Sequence, residues 1–215
     1  MIADLLKDSQ FQALEKEYKF LSRVRGEPLD DLDYAIVDIE TTGLDFLKNE
    51  ITEIGAMRLK GKEVQEIFST LVRPRNLISP EITKLTGIDN DMVKDFPPAD
   101  KILPKFAEFV GSSILVAHNA DFDIPFLKHY AKQSAHQELN NMSVCTVKLA
   151  RRLLPNLVNH KLHSVASHFG FKVENRHRAM GDMELTYQIW VKFIDLLKEK
   201  GIHNRVDLDV LMSQL

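Results

Sequence analysis

An α/β fold built around a mixed sheet is predicted by two features of this 215-residue sequence. Three short β-type runs follow one another with brief connections, at residues 34–39, 51–59 and 64–72, which suits an antiparallel meander. From residue 100 onward, helix-period segments alternate with short apolar runs, which suits helices layered on a sheet. No internal repeat is present.

Taken in order, residues 3–23 place Leu5, Leu6, Leu14, Phe20 and Leu21 at helical spacing, and Gly26, Pro28 and the acidic pair Asp30-Asp31 then break the pattern. This predicts an N-terminal helix and a linker outside the main domain. The β-branched run at 34–39 reads as a buried strand, after which Thr41-Thr42-Gly43 turns the chain. Lys60-Gly61-Lys62 joins the second and third strands. Residues 100–110 read as a helix, 113–117 as a short apolar strand, and 123–133 as a helix that tolerates Pro125 in its first turn. Residues 142–145 suit a last strand, and 161–169 a helix stopped by Gly170. The segment 179–200 is a long amphipathic helix carrying Leu185, Ile189, Phe193 and Leu197, ended by Gly201.

Composition sets limits rather than choosing a function. With 44% hydrophobic residues the chain can bury one good core, which suits one domain better than two. No apolar stretch approaches the roughly 20 residues of a membrane helix, and the acidic start lacks the pattern of a signal peptide. The single cysteine, Cys145, excludes an intramolecular disulfide and a Cys-based zinc cluster, so a reducing, cytoplasmic setting is expected. A net charge of −3 is compatible with nucleic-acid chemistry at a local site but lends it no support.

Three stretches carry acids at the edges of predicted elements. Along a strand Asp38 and Glu40 point to one side. Two carboxylates about 4 Å apart repel by roughly 4 kcal/mol at an effective dielectric of about 20, so water, a proton or a cation must offset the pair. The plainer alternative is a strand end at the surface with both acids solvated. His118-Asn119-Ala120-Asp121-Phe122-Asp123 follows a strand and opens a helix, where α/β folds commonly place sites; helix capping by Asp121 or Asp123 is the alternative. His177-Arg178-Ala179-Met180-Gly181-Asp182 precedes the long helix, and an acid in its first turn also suits the helix dipole; a cap plus a surface histidine is the alternative. Together, hard carboxylate oxygens without cysteine favour magnesium or manganese over zinc. Four converging acids can hold two such ions for in-line attack on a phosphodiester, with a histidine as general base. His160, His163 and His168 have no cysteine or acid at zinc-ligand spacing beside them.

These motifs resemble the DEDDh exonucleases, the DnaQ-like group with a ribonuclease H-like fold. Asp38-Ile39-Glu40-Thr41-Thr42-Gly43 is similar to that family's first motif, His118-Asn119 through Phe122-Asp123 to its second, and His177 through Asp182 to its third. The segment from Ser79-Pro80-Glu81 to Thr86-Gly87-Ile88 is also typical. The resemblance runs from about Asp33 to about Lys198. It implies an exonuclease domain over 33–200, between an N-terminal helical extension with linker (1–32) and a C-terminal tail (201–215). It implies a metal-dependent 3′-5′ exonuclease releasing nucleoside 5′-monophosphates, with two Mg2+ or Mn2+ ions. Asp38 would bridge the two ions, Glu40 and Asp182 would complete one of them, and Asp123 would support the other. His177 would take the proton from the attacking water. Thr41, Thr42 and Leu44 would contact the last nucleotide, Leu44 as a wedge, with Glu81, Thr86, His118 and Asn119 as further substrate contacts. Arg151, Arg152, Lys161, Arg176 and Arg178 either hold phosphates or are solvated surface charge.

The tract Leu85-Thr86-Gly87-Ile88 looks most like proofreading exonucleases of bacterial replicative polymerases, which favours DNA and a polymerase subunit as partner. The rival readings are an exoribonuclease of the oligoribonuclease or ribonuclease T type, and a non-catalytic polymerase-docking module. The apolar stripes of residues 3–23 and 206–215 either pack on the domain or attach it to a polymerase or a second copy.

Overall fold

The computed structural model describes residues 26–135, 138–172 and 178–215. Five strands form one sheet: β1 (Asp33–Thr41), β2 (Ile51–Lys60), β3 (Glu63–Leu71), β4 (Ile114–Ala117) and β5 (Ser143–Cys145), in the order β3-β2-β1-β4-β5. β1, β2 and β3 pair antiparallel, whereas β4 runs parallel to β1 and β5 parallel to β4. The helices are α1 (Pro80–Thr86), α2 (Asn90–Val93), α3 (Ala99–Val110), α4 (Ala120–Ala135), α5 (Thr146–Leu153), α6 (Leu162–His168), α7 (Ala179–Glu199) and α8 (Arg205–Met212). The meander and the alternating second half are thus as the hydrophobic periods predict.

The period-2 alternation of β1 sends its residues into two cores. Ala35, Val37 and Ile39 join Phe106 of α3 and Phe126 and Leu127 of α4 on one face. Tyr34 and Ile36 join Met183, Ile189, Trp190 and Phe193 of α7 on the other. There Tyr34 meets Trp190 edge-on, with ring centroids 5.1 Å apart, and donates its hydroxyl to the carbonyl of Leu29 at 2.9 Å. Asp38 and Glu40 continue the row of Tyr34 and Ile36, so the face that buries the long helix becomes acidic at the carboxyl end of the strand. The register shifts between Glu40 and Thr41, a bulge that ends regular pairing there.

The first described residues and the last helix meet. Leu29 and Leu208 are fully buried in the same core, Pro28 bridges Asn204, and the Leu29 amide donates to the His203 carbonyl at 3.0 Å. The apolar stripe expected in the C-terminal segment therefore packs on the domain through Leu208; the stripe at residues 3–23 lies outside the described residues. No described helix is long and apolar enough to cross a membrane.

Candidate active site

Three elements deliver the acids. β1 carries Asp38 and Glu40, and α7 carries Asp182 in its first turn. One ligand oxygen from each of the three lies within 4.8 Å of the others. Because α7 lies along the same face as Tyr34 and Ile36, its start comes down on the strand where the row turns acidic. Gly55, the cross-strand partner of Asp38, makes this approach possible: a Cβ there would stand 3.3 Å from the Cβ of Ala179.

Asp123 arrives from the opposite layer. Asn119, with φ 73, takes the left-handed conformation that asparagine tolerates and turns the chain from β4 into α4. That turn starts the helix at Ala120, three residues before the expected position, and puts Asp123 in its first turn. Its Oδ1 accepts from the amide of Ile39 at 3.2 Å, between the two acids of β1. Asp121 instead forms an ion pair with Lys148 at 3.2 Å, clear of the centre.

The electrostatics are those of crowded negative charge, half-buried at Asp38, Glu40 and Asp182 and buried at Asp123. Burial raises Asp38 well above the ordinary carboxylate range, and the charges of Asp123, Asp182, Glu40 and Glu53 add to the rise. Burial, then Asp182, Glu53 and Asp123, push Glu40 up to about 8, against a lowering by Arg178. Burial pushes Asp123 up to about 7 despite its bond from Ile39. Such a group of hard oxygen donors fits divalent cations, whose charge would offset the repulsion.

The remaining expected residues divide. Thr41 is buried and donates its hydroxyl to the Gly43 carbonyl at 2.6 Å, and the Thr42 hydroxyl accepts from the Glu50 amide at 2.9 Å. Leu44 is 86% exposed on the turn beside them. A Cβ at Gly43 would stand 2.6 Å from the Asn49 side-chain amide, so any larger residue there would have to displace it. Thr86 is buried, and its hydroxyl donates to the Ile82 carbonyl and accepts from the Ile88 amide. Glu81 is exposed in the first turn of α1, its carboxyl lowered first by Ser79 and then by its own backbone amide. Thr86 lines a cleft of about 1010 Å³ with Lys84, Lys172, Arg178, Met180 and Gln188. His118 and Asn119 line a second hollow of about 510 Å³ with Arg151 and Lys161. Burial holds His118 down to about 4, and its Nδ1 pairs with the Thr146 hydroxyl at 2.9 Å, so the ring is neutral at pH 7. Arg152 lies elsewhere, in a hollow with Asp207 and Leu211. Arg178 is tied to a carboxylate, Glu53, rather than left for a phosphate. His177 and Arg176 lie outside the described residues.

Glu53 is the residue that periodicity does not reveal. It sits in the strand read at 51–59, without being singled out there, 2% exposed and opposite Glu40 in the register. A charged residue in the middle of an otherwise buried strand is the available signal, because such a group needs a partner.

Comparison with known proteins agrees with this layout. Residues 35–190 match the RNase_T family model, described as Exonuclease. The fold and the carboxylate centre together define the class, a ribonuclease H-like nuclease domain. The chain is 41% identical over 164 residues to the DNA polymerase III subunit epsilon of Aquifex aeolicus, covering 76% of this chain and 81% of that one. It is also 41% identical over 182 residues to the PolC-type DNA polymerase III of Caldanaerobacter subterraneus subsp. tengcongensis; this covers 85% of the chain but only 13% of that relative's length. Among solved structures, exonuclease X in complex with 5′ overhanging duplex DNA superposes with a TM-score of 0.63 at 30% identity, covering 78% of this chain and 93% of that one. The chain belongs to the exonuclease family, in its DnaQ-like group.

Proposed function

We propose that this chain is a 3′-5′ exonuclease that removes nucleotides from DNA ends with Mg2+ or Mn2+ and releases nucleoside 5′-monophosphates. The observation that carries the reading is the convergence of Asp38, Glu40 and Asp182 within 4.8 Å, beside Asp123. When bound, two such cations supply an activated water and charge neutralisation at the leaving 3′ oxygen. Asp38, Glu40 and Asp182 supply the oxygens that hold them, with Asp123 in support from the other layer. His177, five residues before Asp182, takes the proton of the attacking water on its ring nitrogen. The backbone at Thr41 and Thr42 holds the terminal sugar, and exposed Leu44 rests against the last base. Glu81 and Thr86 flank the terminal nucleotide from α1. His118 and Asn119, with Arg151 and Lys161, carry the strand behind it.

DNA as substrate is supported by the likeness to a DNA polymerase III subunit and to an exonuclease solved with duplex DNA. The same kinship supports a DNA polymerase as partner and a cytoplasmic setting, with the catalytic unit spanning 33–200. The test is digestion of end-labelled single-stranded, paired and mismatched DNA, and of matched RNA, with Mg2+ and with Mn2+. Stepwise loss of nucleotides from free 3′ ends of DNA is expected, abolished by Asp38→Ala or EDTA in a protein that stays folded. Retained hydrolysis after either change refutes the cation reading, and faster digestion of RNA refutes the substrate.

A further inference from the structure

The carboxylate of Glu53 is committed away from the acidic centre. Its Oε1 accepts from Nη2 of Arg178 at 2.9 Å, and its Oε2 accepts from Nε of Arg178 at 3.2 Å and from the amide of Ala179 at 3.0 Å. A forked guanidinium–carboxylate pair fixes orientation as well as distance, and the third bond satisfies a free amide at the start of α7. Arg178 is the N-cap of that helix and makes no side-chain capping bond to the helix amides. Its carbonyl in turn accepts from the amides of Gly181 at 2.9 Å and Asp182 at 3.1 Å. A continuous run of hydrogen bonds therefore leads from the middle of β2 to the backbone of Asp182. Two residues along the strand, Gly55 leaves room for Ala179 to rest on the sheet. Glu53 and Gly55 together form a seat for the first turn of α7.

We propose that Glu53 is a positioning residue: with Arg178 it fixes the first turn of α7 so that Asp182 meets Asp38 and Glu40. This role rests on the reading of those three acids as the cation site. It also explains why a strand that packs against the long helix keeps a buried acid opposite Glu40, where it adds to the repulsion. An apolar residue there would leave the Arg178 guanidinium and the Ala179 amide without their acceptor on the sheet.

The test uses Glu53→Gln and Arg178→Gln in the full chain. Mn2+ affinity is measured by titration calorimetry, turnover is measured across Mn2+ concentrations, and the melting midpoint in EDTA is recorded for each. The two changes alter local charge in opposite directions, so a purely electrostatic effect would weaken Mn2+ binding in the first and strengthen it in the second. Positioning predicts weaker binding in both, by about 10–100-fold, the usual scale for residues that orient metal ligands. Turnover should fall at low Mn2+ and recover at saturating Mn2+, with KM for the oligonucleotide little changed. Asp182→Ala should not recover. Parent-like Mn2+ affinity in a folded Glu53→Gln, or opposite shifts in the two variants, overturns the proposal. If Glu53→Gln fails to fold, Arg178→Gln decides alone: its side chain is 43% exposed, and parent-like or tighter binding there is refuting. If Asp38→Ala binds Mn2+ as the parent does, the cation-site reading falls, and the positioning role with it. If Asp38→Ala loses Mn2+ while the other two keep it, only the positioning role falls.

Discussion

Replacing Glu40 by glutamine should make the metal-free protein more stable. The fold holds this carboxyl up to about 8 against its ordinary 4.5, chiefly through burial and the charge of Asp182. A group whose folded pKa is raised favours the folded state while protonated and opposes it once ionised. The penalty is thus absent below about pH 4.5, grows through the interval to about 8, and is constant above it. Each pH unit within that interval costs the folded state about 1.4 kcal/mol, so at pH 7 the penalty is about 3 kcal/mol. Glutamine keeps the shape without the charge. In EDTA, urea unfolding should give equal stabilities for parent and Glu40→Gln near pH 4.5 and an advantage of about 3 kcal/mol to the variant at pH 7. For a chain of this length that advantage corresponds to roughly 6–12 °C in melting midpoint. Adding Mg2+ far above Kd should reverse the order, because cation binding stabilises the parent more than the variant, by up to about 4.1 kcal/mol at 1,000 times the parent's Kd. A variant no more stable than the parent at pH 7 in EDTA, or an advantage independent of pH, would refute the reasoning.

Gly55→Val should place side-chain atoms against Ala179 and displace the start of α7, costing about 1–3 kcal/mol by overpacking. Activity measured on the folded protein should fall further than stability does, and normal turnover would show that the helix start need not rest on the strand. Trp190→Ala removes the largest fully buried side chain and should cost about 3–5 kcal/mol in chemical denaturation. The specific activity of its folded fraction should be near normal, since the ring packs on Tyr34 at the far end of β1 from the acids. Arg151→Gln with Lys161→Gln should weaken binding of long strands and lower the salt slope of log K by about 1 for each phosphate no longer neutralised. Hydrolysis of the p-nitrophenyl ester of thymidine monophosphate, which has no upstream phosphate, should be unchanged; a slower rate there would place these cations at the reaction itself.

Much of this architecture is written in short-range patterns, and what those patterns omit has a common cause. The alternation of β1 places Asp38 and Glu40 on one side, and the period of the long helix sets its first turn at Ala179 and so places Asp182. Short helices account for what the periods miss: α1, α2 and α5 have seven, four and eight residues, and α1 is marked by its Ser79 cap and left-handed Gly87 rather than by an apolar stripe. Pro125 suggests a first turn for α4 that is too late, whereas the left-handed Asn119 begins the turn earlier. Glu53 is missed for a different reason. Its partners, Arg178 and Ala179, are 125 and 126 residues away, so the local pattern shows a charge that needs a partner but not which one it has. The same holds for Arg178, which looks like a free phosphate ligand until its partner is known.

The bridge between Pro28 and Asn204 ties together two stretches far apart in the sequence. Pro28 and Asn204 meet at one corner, at the amino end of β1. At about 3.3 Å per strand residue, that corner lies roughly 20 Å from Asp38 and Glu40. The bridge therefore joins the approach to β1 and the approach to α8 at a point remote from the mouth where a nucleic-acid end would arrive. Pro28→Gly with Asn204→Gly should loosen this corner and lower the melting midpoint while the carboxylates keep their arrangement, read as unchanged Mn2+ affinity.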